Sequence, residues 1–200
     1  MDKIWVEIKR MKKKLLIAGD SFAADWSKKY KNASGWVNTL CEDYDVTNVA
    51  QAGVSEYKIY NQLKRINTSN YDIILISHTS AYRIPVIEHP IHSKDILHNN
   101  CDLIYSDLKE HDNELTKIAV DFYEKLFDPD YFIFIHNLII NEIIKKYPTA
   151  INITFFDSFS HPTFHNFEKI FLNSKGNVNH LNEVGNNLIY EKIKNIIEIK

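Results

Sequence analysis

Glycine, proline, cysteine and methionine are all scarce in this chain of 200 residues, which has five, five, two and two of them. So little glycine and proline excludes collagen-like and low-complexity sequences. The two cysteines, Cys41 and Cys101, are too few for a disulfide framework, and they are consistent with a reducing compartment. Because glycine is so rare, each glycine in a motif marks a position that needs a physical reason.

The chain also lacks an excess of charge of either sign and a long apolar run. Its 24 basic and 26 acidic residues give a net charge of −2, which leaves no basic footprint for nucleic acid. No segment reaches the roughly 18 apolar residues of a membrane span. The apolar run at residues 15–18 is too short for a signal peptide. We therefore expect a cytoplasmic protein that neither spans a membrane nor binds nucleic acid.

What remains is the composition of an ordinary globular protein, with 44% hydrophobic and 25% charged residues. A chain of this length is expected to form one domain with its own core. No internal repeat and no linker rich in proline, glycine or serine divides it. We predict a single domain over residues 12–200. Residues 1–11 are interpreted as an extension, with Met11 as an alternative translation start.

Hydrophobic patterning predicts strands that alternate with helices. Short apolar or β-branched runs predict strands at 15–19, 45–50, 71–77 and 150–156. Helical spacing predicts helices at 22–30, 35–43, 56–66, 114–126, 129–146 and 181–197, with an irregular segment at 84–112. This alternation predicts an α/β fold with a mainly parallel sheet and helices on both faces. Because ligands of such sheets bind beyond the carboxyl ends of the strands, the loops after the four strands should surround one site.

Two short polar segments carry chemistry at this edge of the sheet. Gly19-Asp20-Ser21 follows the first predicted strand, and His180 precedes the last predicted helix. A serine hydroxyl becomes a nucleophile when a nearby base accepts its proton, and histidine is the usual base. Backbone N–H groups at the turn after Ser21 can stabilise an oxyanion. The structural alternatives are that Ser21 caps a helix and that His180 is a surface residue.

These segments together resemble the sequence blocks of the SGNH, or GDSL-type, hydrolases. KKLLIAGDSF resembles the first block, VTNVAQAGVS the second and HLNEVG the last. The resemblance extends over residues 12–197 in order and spacing, and it includes Gly19, Gly53 and Gly185, three of the five glycines. It implies a three-layer α/β/α sandwich with a mainly parallel central sheet, of the SGNH-hydrolase or flavodoxin-like kind. It also implies an ester hydrolase that needs no cofactor.

The resemblance implies a role for each matched residue. Ser21 is the nucleophile and His180 is the general base. The N–H groups of Ser21 and Gly53 form the oxyanion hole, with the hydroxyl of Thr79 as a further donor. Three other residues of this rim are candidates for contact with a polar group of the substrate: Asp20, His78 and Arg83. A structural role in the turn is the alternative for Asp20, and simple surface exposure is the alternative for His78 and Arg83.

Two positions depart from the family pattern. Thr79 stands where the family has an asparagine that donates to the oxyanion, and the loss of one such donor costs about 10²–10³ in rate. Asn177 stands three residues before His180, where an aspartate usually orients and stabilises the histidine. The candidates for this orienting role are Asn177, Glu183, Asp157 and a backbone carbonyl. The alternative is a Ser–His dyad.

The expected function is a serine esterase that hydrolyses an acyl ester, preferably an acetyl ester, of a carbohydrate or small molecule. Two alternatives remain open: an O-acyltransferase that uses the same site, and a non-catalytic ligand-binding protein. His89, His92 and His98 suggest a metal, but they lack a strict ligand pattern, so no metal site is expected. The irregular segment 84–112 is expected to form the substrate wall. Both monomers and oligomers are compatible with the sequence.

Overall fold

A five-stranded sheet lies at the centre of the computed structural model, which describes residues 11–92, 95–159, 161–176 and 180–200. Its strands are β1 (Lys14–Gly19), β2 (Asp45–Asn48), β3 (Ile73–His78), β4 (Ile151–Thr154) and β5 (His165–Asn166). They lie in the order β2-β1-β3-β4-β5, and all four pairings are parallel. This is the strand order of a doubly wound sheet, whose connections change direction between β1 and β3.

Helices cover both faces of this sheet. In chain order they are α1 (Trp36–Asp43), α2 (Glu56–Lys64), α3 (Tyr105–Leu108), α4 (Glu114–Lys125), α5 (Pro129–Lys146), α6 (Glu168–Asn173) and α7 (Glu183–Ile199). Helices α1 and α7 pack together in one layer, and α2 and α5 pack together in the other. The molecule is therefore a three-layer α/β/α protein, and the predicted α/β fold class is confirmed.

The apolar run of β1 explains why two layers of helices are needed. Leu15 and Ile17 join the core beneath α1 and α7, whereas Leu16 and Ala18 join the core beneath α2 and α5. All four side chains are fully buried. Successive side chains of a strand point to opposite faces, so an unbroken apolar run requires cover on both sides.

The predicted strands and most predicted helices are confirmed within a few residues. The long helix α5 begins as its sequence indicates, with Pro129 in the first turn and the Asp128 side chain accepting hydrogen bonds from the N–H groups of Asp130 and Tyr131. Strand β5 and the short helices α3 and α6 were missed. Two residues are too few to show an alternating pattern in β5, and the six-residue α6 has no strong periodicity.

The predicted helix at 22–30 is wrong. The structure forms only one 3₁₀ turn there, Trp26–Lys28. The Asp25 carboxylate accepts the N–H of Ser27 at 3.1 Å, and the Trp26 indole N–H donates to the carbonyl of Ser21 at 2.9 Å. These side-chain bonds replace the helical pattern of backbone bonds.

The predicted irregular segment packs over the loop that follows β2. Ile84 and Leu103 form an antiparallel bridge that closes its base, and α3 follows directly. The N–H of Ala52 donates to the carbonyl of Leu97 at 2.9 Å. The segment therefore forms one wall beside the carboxyl edge of the sheet.

Two expectations concern the chain's beginning and the membrane. Residues 1–10 lie outside the described residues, so the extension stays a prediction. Among the helices that the structure describes, none is long and apolar enough to cross a membrane.

The orientation of α7 can be tested with two adjacent residues. Ile189 is fully buried, whereas Leu188 is 45% exposed. We expect Ile189→Ala to lower the free energy of unfolding by about 2–5 kcal/mol, because it leaves a cavity in the core. Leu188→Ala should lower it by less than about 1 kcal/mol. Urea denaturation measures both values, and equal losses would contradict this packing.

Candidate active site

The chain turns sharply after β1, and the side chain of Asp20 lies at the centre of the turn. A Cβ atom on Gly19 would lie 2.6 Å from that of Ser77, so the close approach of β1 and β3 requires glycine here. The Asp20 carboxylate is fully buried and accepts hydrogen bonds from the Ser77 hydroxyl at 3.2 Å and the Thr79 hydroxyl at 3.2 Å. It also accepts the N–H of Phe22 at 3.1 Å. Asp20 thus joins the ends of the two central strands.

Arg83 connects this carboxylate to the loop after β2. Its guanidinium lies 3.4 Å from the Asp20 carboxylate and donates to the carbonyl of Val54 at 2.7 Å. Burial raises the pKa of Asp20 above its ordinary value, although the Arg83 charge and the hydrogen bonds act in the opposite direction. The loops after β1, β2 and β3 are therefore held by one buried carboxylate and one buried cation.

Gly53 occupies a tight position in the loop after β2. Its φ is +73°, and a Cβ atom there would lie 2.7 Å from the sulfur of Cys101. Its carbonyl accepts the N–H of Asp102 at 2.9 Å, and the buried Asp102 carboxylate pairs with Lys58 at 2.6 Å. Cys101 and Asp102 of the irregular segment thus pack against the Gly53 loop and fix its backbone.

The backbone N–H groups of Ser21, which is partly exposed, and of Gly53, which is buried, belong to the loops at this edge. Within the described ranges, neither the N–H of Ser21 nor that of Gly53 donates to a protein acceptor. The loops that carry them are joined through the Asp20–Arg83 pair. Such N–H groups can stabilise a developing negative charge on an oxygen.

Thr79 lies at the end of β3, as expected, but its hydroxyl faces inward. The side chain is fully buried, and the hydroxyl donates to Asp20. The Thr79 N–H donates to the carboxylate of Glu56 at 3.2 Å. This placement differs from the expected oxyanion contact, because the donor is already used by a buried carboxylate.

His78 belongs to a buried polar chain with Glu56 and Asn152. Its Nδ1 lies 2.7 Å from Glu56 Oε1 and its Nε2 lies 2.9 Å from Asn152 Oδ1, while the ring of Phe164 stacks on it at 4.1 Å. Burial alone would raise the pKa of Glu56, but the charge and hydrogen bond of His78 hold it below its ordinary value. These hydrogen bonds join helix α2 to strands β3 and β4.

Three expected substrate contacts are therefore internal. His78 and Asp20 are fully buried, and Arg83 is 9% exposed. Their placement differs from the expectation because each polar group bonds to a neighbouring loop or helix. Sequence reasoning missed Glu56 and Asn152 altogether, since nothing in the sequence marks a carboxylate at a helix start as buried.

His180 lies between α6 and α7, and backbone hydrogen bonds hold it and Asn182 against the end of α6. The N–H of Gly176 donates to the carbonyl of His180 at 2.6 Å, and the N–H of Asn182 donates to that of Ser174 at 2.8 Å. The Asn182 side chain accepts the N–H of Gly185 at 2.9 Å and so begins α7. These bonds fix the backbone on both sides of the half-buried imidazole.

The imidazole of His180 contacts the two aromatic residues that follow Ser21. Its ring centroid is 4.8 Å from that of Trp26 and 5.5 Å from that of Phe22. Trp26 in turn donates its indole N–H to the carbonyl of Ser21. The fold thus brings His180 next to the Ser21 turn from the far end of the sequence.

The side chains considered for orienting His180 are those of Asn177, Glu183 and Asp157. Asn177 lies outside the described residues. Glu183 is exposed in the first turn of α7. Asp157 is exposed and accepts a hydrogen bond from the amide of Asn166 at 2.7 Å. The orienting group stays a prediction.

The histidines of the irregular segment stack on one another. The ring of His92 lies 4.9 Å from that of His89 and 4.9 Å from that of His98. His89 Nδ1 accepts the N–H of Ile91 at 3.1 Å, so the proton of the neutral ring is on Nε2. Burial and the neighbouring His92 lower the pKa of His89 to about 4. Over the described part of the chain, no group of three or more His, Cys, Asp or Glu side chains could hold a metal ion.

Comparison with known proteins adds little to this geometry. No protein-family model matches the chain. No curated protein matches it either. The solved structures that match include a possible lipase from Chitinophaga pinensis DSM 2588, which aligns with a TM-score of 0.33 and 14% identity. The alignment covers 71% of this chain and 47% of that one, so the chain spans about half the length of that protein.

The buried Glu56–His78 contact predicts a pH-dependent stability. The folded pKa of Glu56 lies below its unfolded value of about 4.3, so its ionised form stabilises the fold above that pH. This contribution is lost as the pH falls through the folded pKa. We expect Glu56→Gln to lower the free energy of unfolding by about 1–3 kcal/mol at pH 7, and less below about pH 4.

Urea denaturation over a pH series measures this difference. The matched control is Glu191→Gln, which alters an exposed carboxylate on α7 and should leave stability nearly unchanged at every pH. A Glu56→Gln effect that stays constant from pH 7 to pH 3 would contradict the assigned role of the ionised carboxylate.

Proposed function

We propose that this protein is a serine esterase of the SGNH type, with Ser21 as the nucleophile and His180 as the general base. Its substrate is an acyl ester, preferably an acetyl ester, of a carbohydrate or small molecule. The observation that carries this proposal is the placement of His180 against Phe22 and Trp26, directly beside the Ser21 turn. Gly53 supports it, since its N–H remains a free donor within the described residues.

In the first step, the Ser21 hydroxyl attacks the carbonyl carbon of the ester and its proton passes to His180. The carbonyl oxygen becomes an oxyanion. The N–H groups of Ser21 and Gly53 are the donors proposed to stabilise it. The tetrahedral intermediate then collapses, the proton on His180 passes to the departing alcohol, and an acyl-serine remains.

In the second step, His180 accepts a proton from water, and the resulting hydroxide attacks the acyl-serine. Collapse of this intermediate returns the proton to Ser21 and releases the carboxylic acid. The proposal assigns Asp20, Arg83 and the Thr79 hydroxyl to the support of the loops, since each is already bonded within the protein. With the Thr79 hydroxyl occupied and no aspartate at position 177, we expect slow turnover.

A fluorophosphonate probe tests the proposal, because it phosphonylates only an activated serine. We expect one adduct on the peptide that contains Ser21, none in Ser21→Ala, and labelling slowed by about 10²–10⁴ in His180→Ala. The matched control is Ser69→Ala, an exposed serine that precedes β3 at the opposite edge of the sheet. Intact mass and peptide mapping measure the adduct.

The absence of an adduct on folded native protein would contradict the esterase. It would favour the non-catalytic ligand-binding alternative, which a glycan-binding assay insensitive to Ser21→Ala would support. If Ser21 is labelled, nitrophenyl acetate separates the remaining two reactions. Acetyl release into water supports hydrolysis, whereas release that requires an added sugar acceptor supports O-acyl transfer.

A further inference from the structure

Trp26 contacts both the Ser21 turn and His180. Its indole N–H donates to the carbonyl of Ser21 at 2.9 Å. Its ring meets the imidazole of His180 edge to face, with centroids 4.8 Å apart and an interplanar angle of 69°. Aromatic pairs attract one another in this arrangement and at this distance.

Further contacts restrain the indole. The ring of His98 meets it at 5.7 Å and 64°, and the ring of Tyr30 stacks on it at 6.1 Å and 18°. His98 itself lies 3.0 Å from the carboxylate of Asp95, which also pairs with Lys29. Trp26 is therefore held by the irregular segment as well as by its own turn.

We propose that Trp26 is a positioning residue that holds the imidazole of His180 where it can accept the proton of the Ser21 hydroxyl. The inference rests on the proposed function, since this position matters only if the two residues react together. Asn177 replaces the carboxylate that would orient the histidine by charge. A ring contact from Trp26 restrains the imidazole without any charge.

The chain offers a matched control in Trp36. Its indole N–H also donates to a carbonyl of the same turn, that of Phe22, at 2.9 Å. Trp36 is buried in the core, and no ring contact with His180 is found for it in the described ranges. Replacing Trp36 thus removes an equivalent hydrogen bond without removing the contact in question.

The first measurement is the rate of fluorophosphonate labelling at Ser21. We expect Trp26→Leu to lower it about 100-fold, because small misplacements of reacting groups have effects of that size. Trp26→Phe retains a ring and should lower it no more than about tenfold. Trp36→Phe should keep the native rate within about twofold, at temperatures where it remains folded.

A double-mutant cycle separates positioning from a general structural role. In the His180→Ala background, Trp26→Leu should change the residual labelling rate by less than about twofold, because there is no imidazole left to position. An equal loss in both backgrounds would overturn the proposal. So would a native labelling rate in Trp26→Leu.

A measurement independent of reactivity distinguishes failure of this inference from failure of the proposed function. The ring protons of His180 are assigned by NMR with the His180→Gln variant. We expect Trp26→Leu to remove the Trp26 contribution to their ring-current shift and leave only that of Phe22. Trp26→Phe should keep part of the Trp26 contribution, and Trp36→Phe should keep all of it. If native protein is not labelled, the proposed esterase function is contradicted, but these shifts still test whether Trp26 contacts His180. If they do not move in Trp26→Leu, the positioning role fails even with labelling intact.

Discussion

The buried carboxylate of Asp20 is the constraint on which the candidate site depends. It accepts hydrogen bonds from the turn after β1 and from the end of β3, and through Arg83 it reaches the loop after β2. A buried polar group is costly unless its hydrogen-bonding partners are well placed. The three loops can therefore satisfy Asp20 only in a narrow set of arrangements, and this restricts where Ser21 and Gly53 lie.

A second buried network of hydrogen bonds joins the sheet to α2, in the layer that α2 forms with α5. Glu56 at the start of α2 bonds to His78, and His78 bonds to Asn152 on β4. The Glu56 carboxylate also accepts the N–H of Thr79, whose hydroxyl donates to Asp20. The two polar networks thus meet at Thr79, and both its N–H and its hydroxyl are used in hydrogen bonds to buried carboxylates.

The sequence was informative wherever one local signal determined the structure. The apolar run of β1 and the start of α5 at Pro129 each act within a few residues, and both were predicted. The turn after Ser21 was not predicted correctly. The spacing of its apolar residues resembles that of a helix, but the side chains of Asp25 and Trp26 bond to the backbone instead. Glu56 was also missed, since its burial depends on His78 of β3 and Asn152 of β4, which are distant in the sequence.

The connection order of this sheet has a consequence for biosynthesis. Ser21 follows the first strand, whereas His180 precedes α7, the helix that packs on α1. Domains are made from the N-terminus and their distant contacts form late. A growing chain therefore contains the serine long before the histidine can reach it. Under the proposed chemistry, the nascent protein has no activated nucleophile until its last helix has docked.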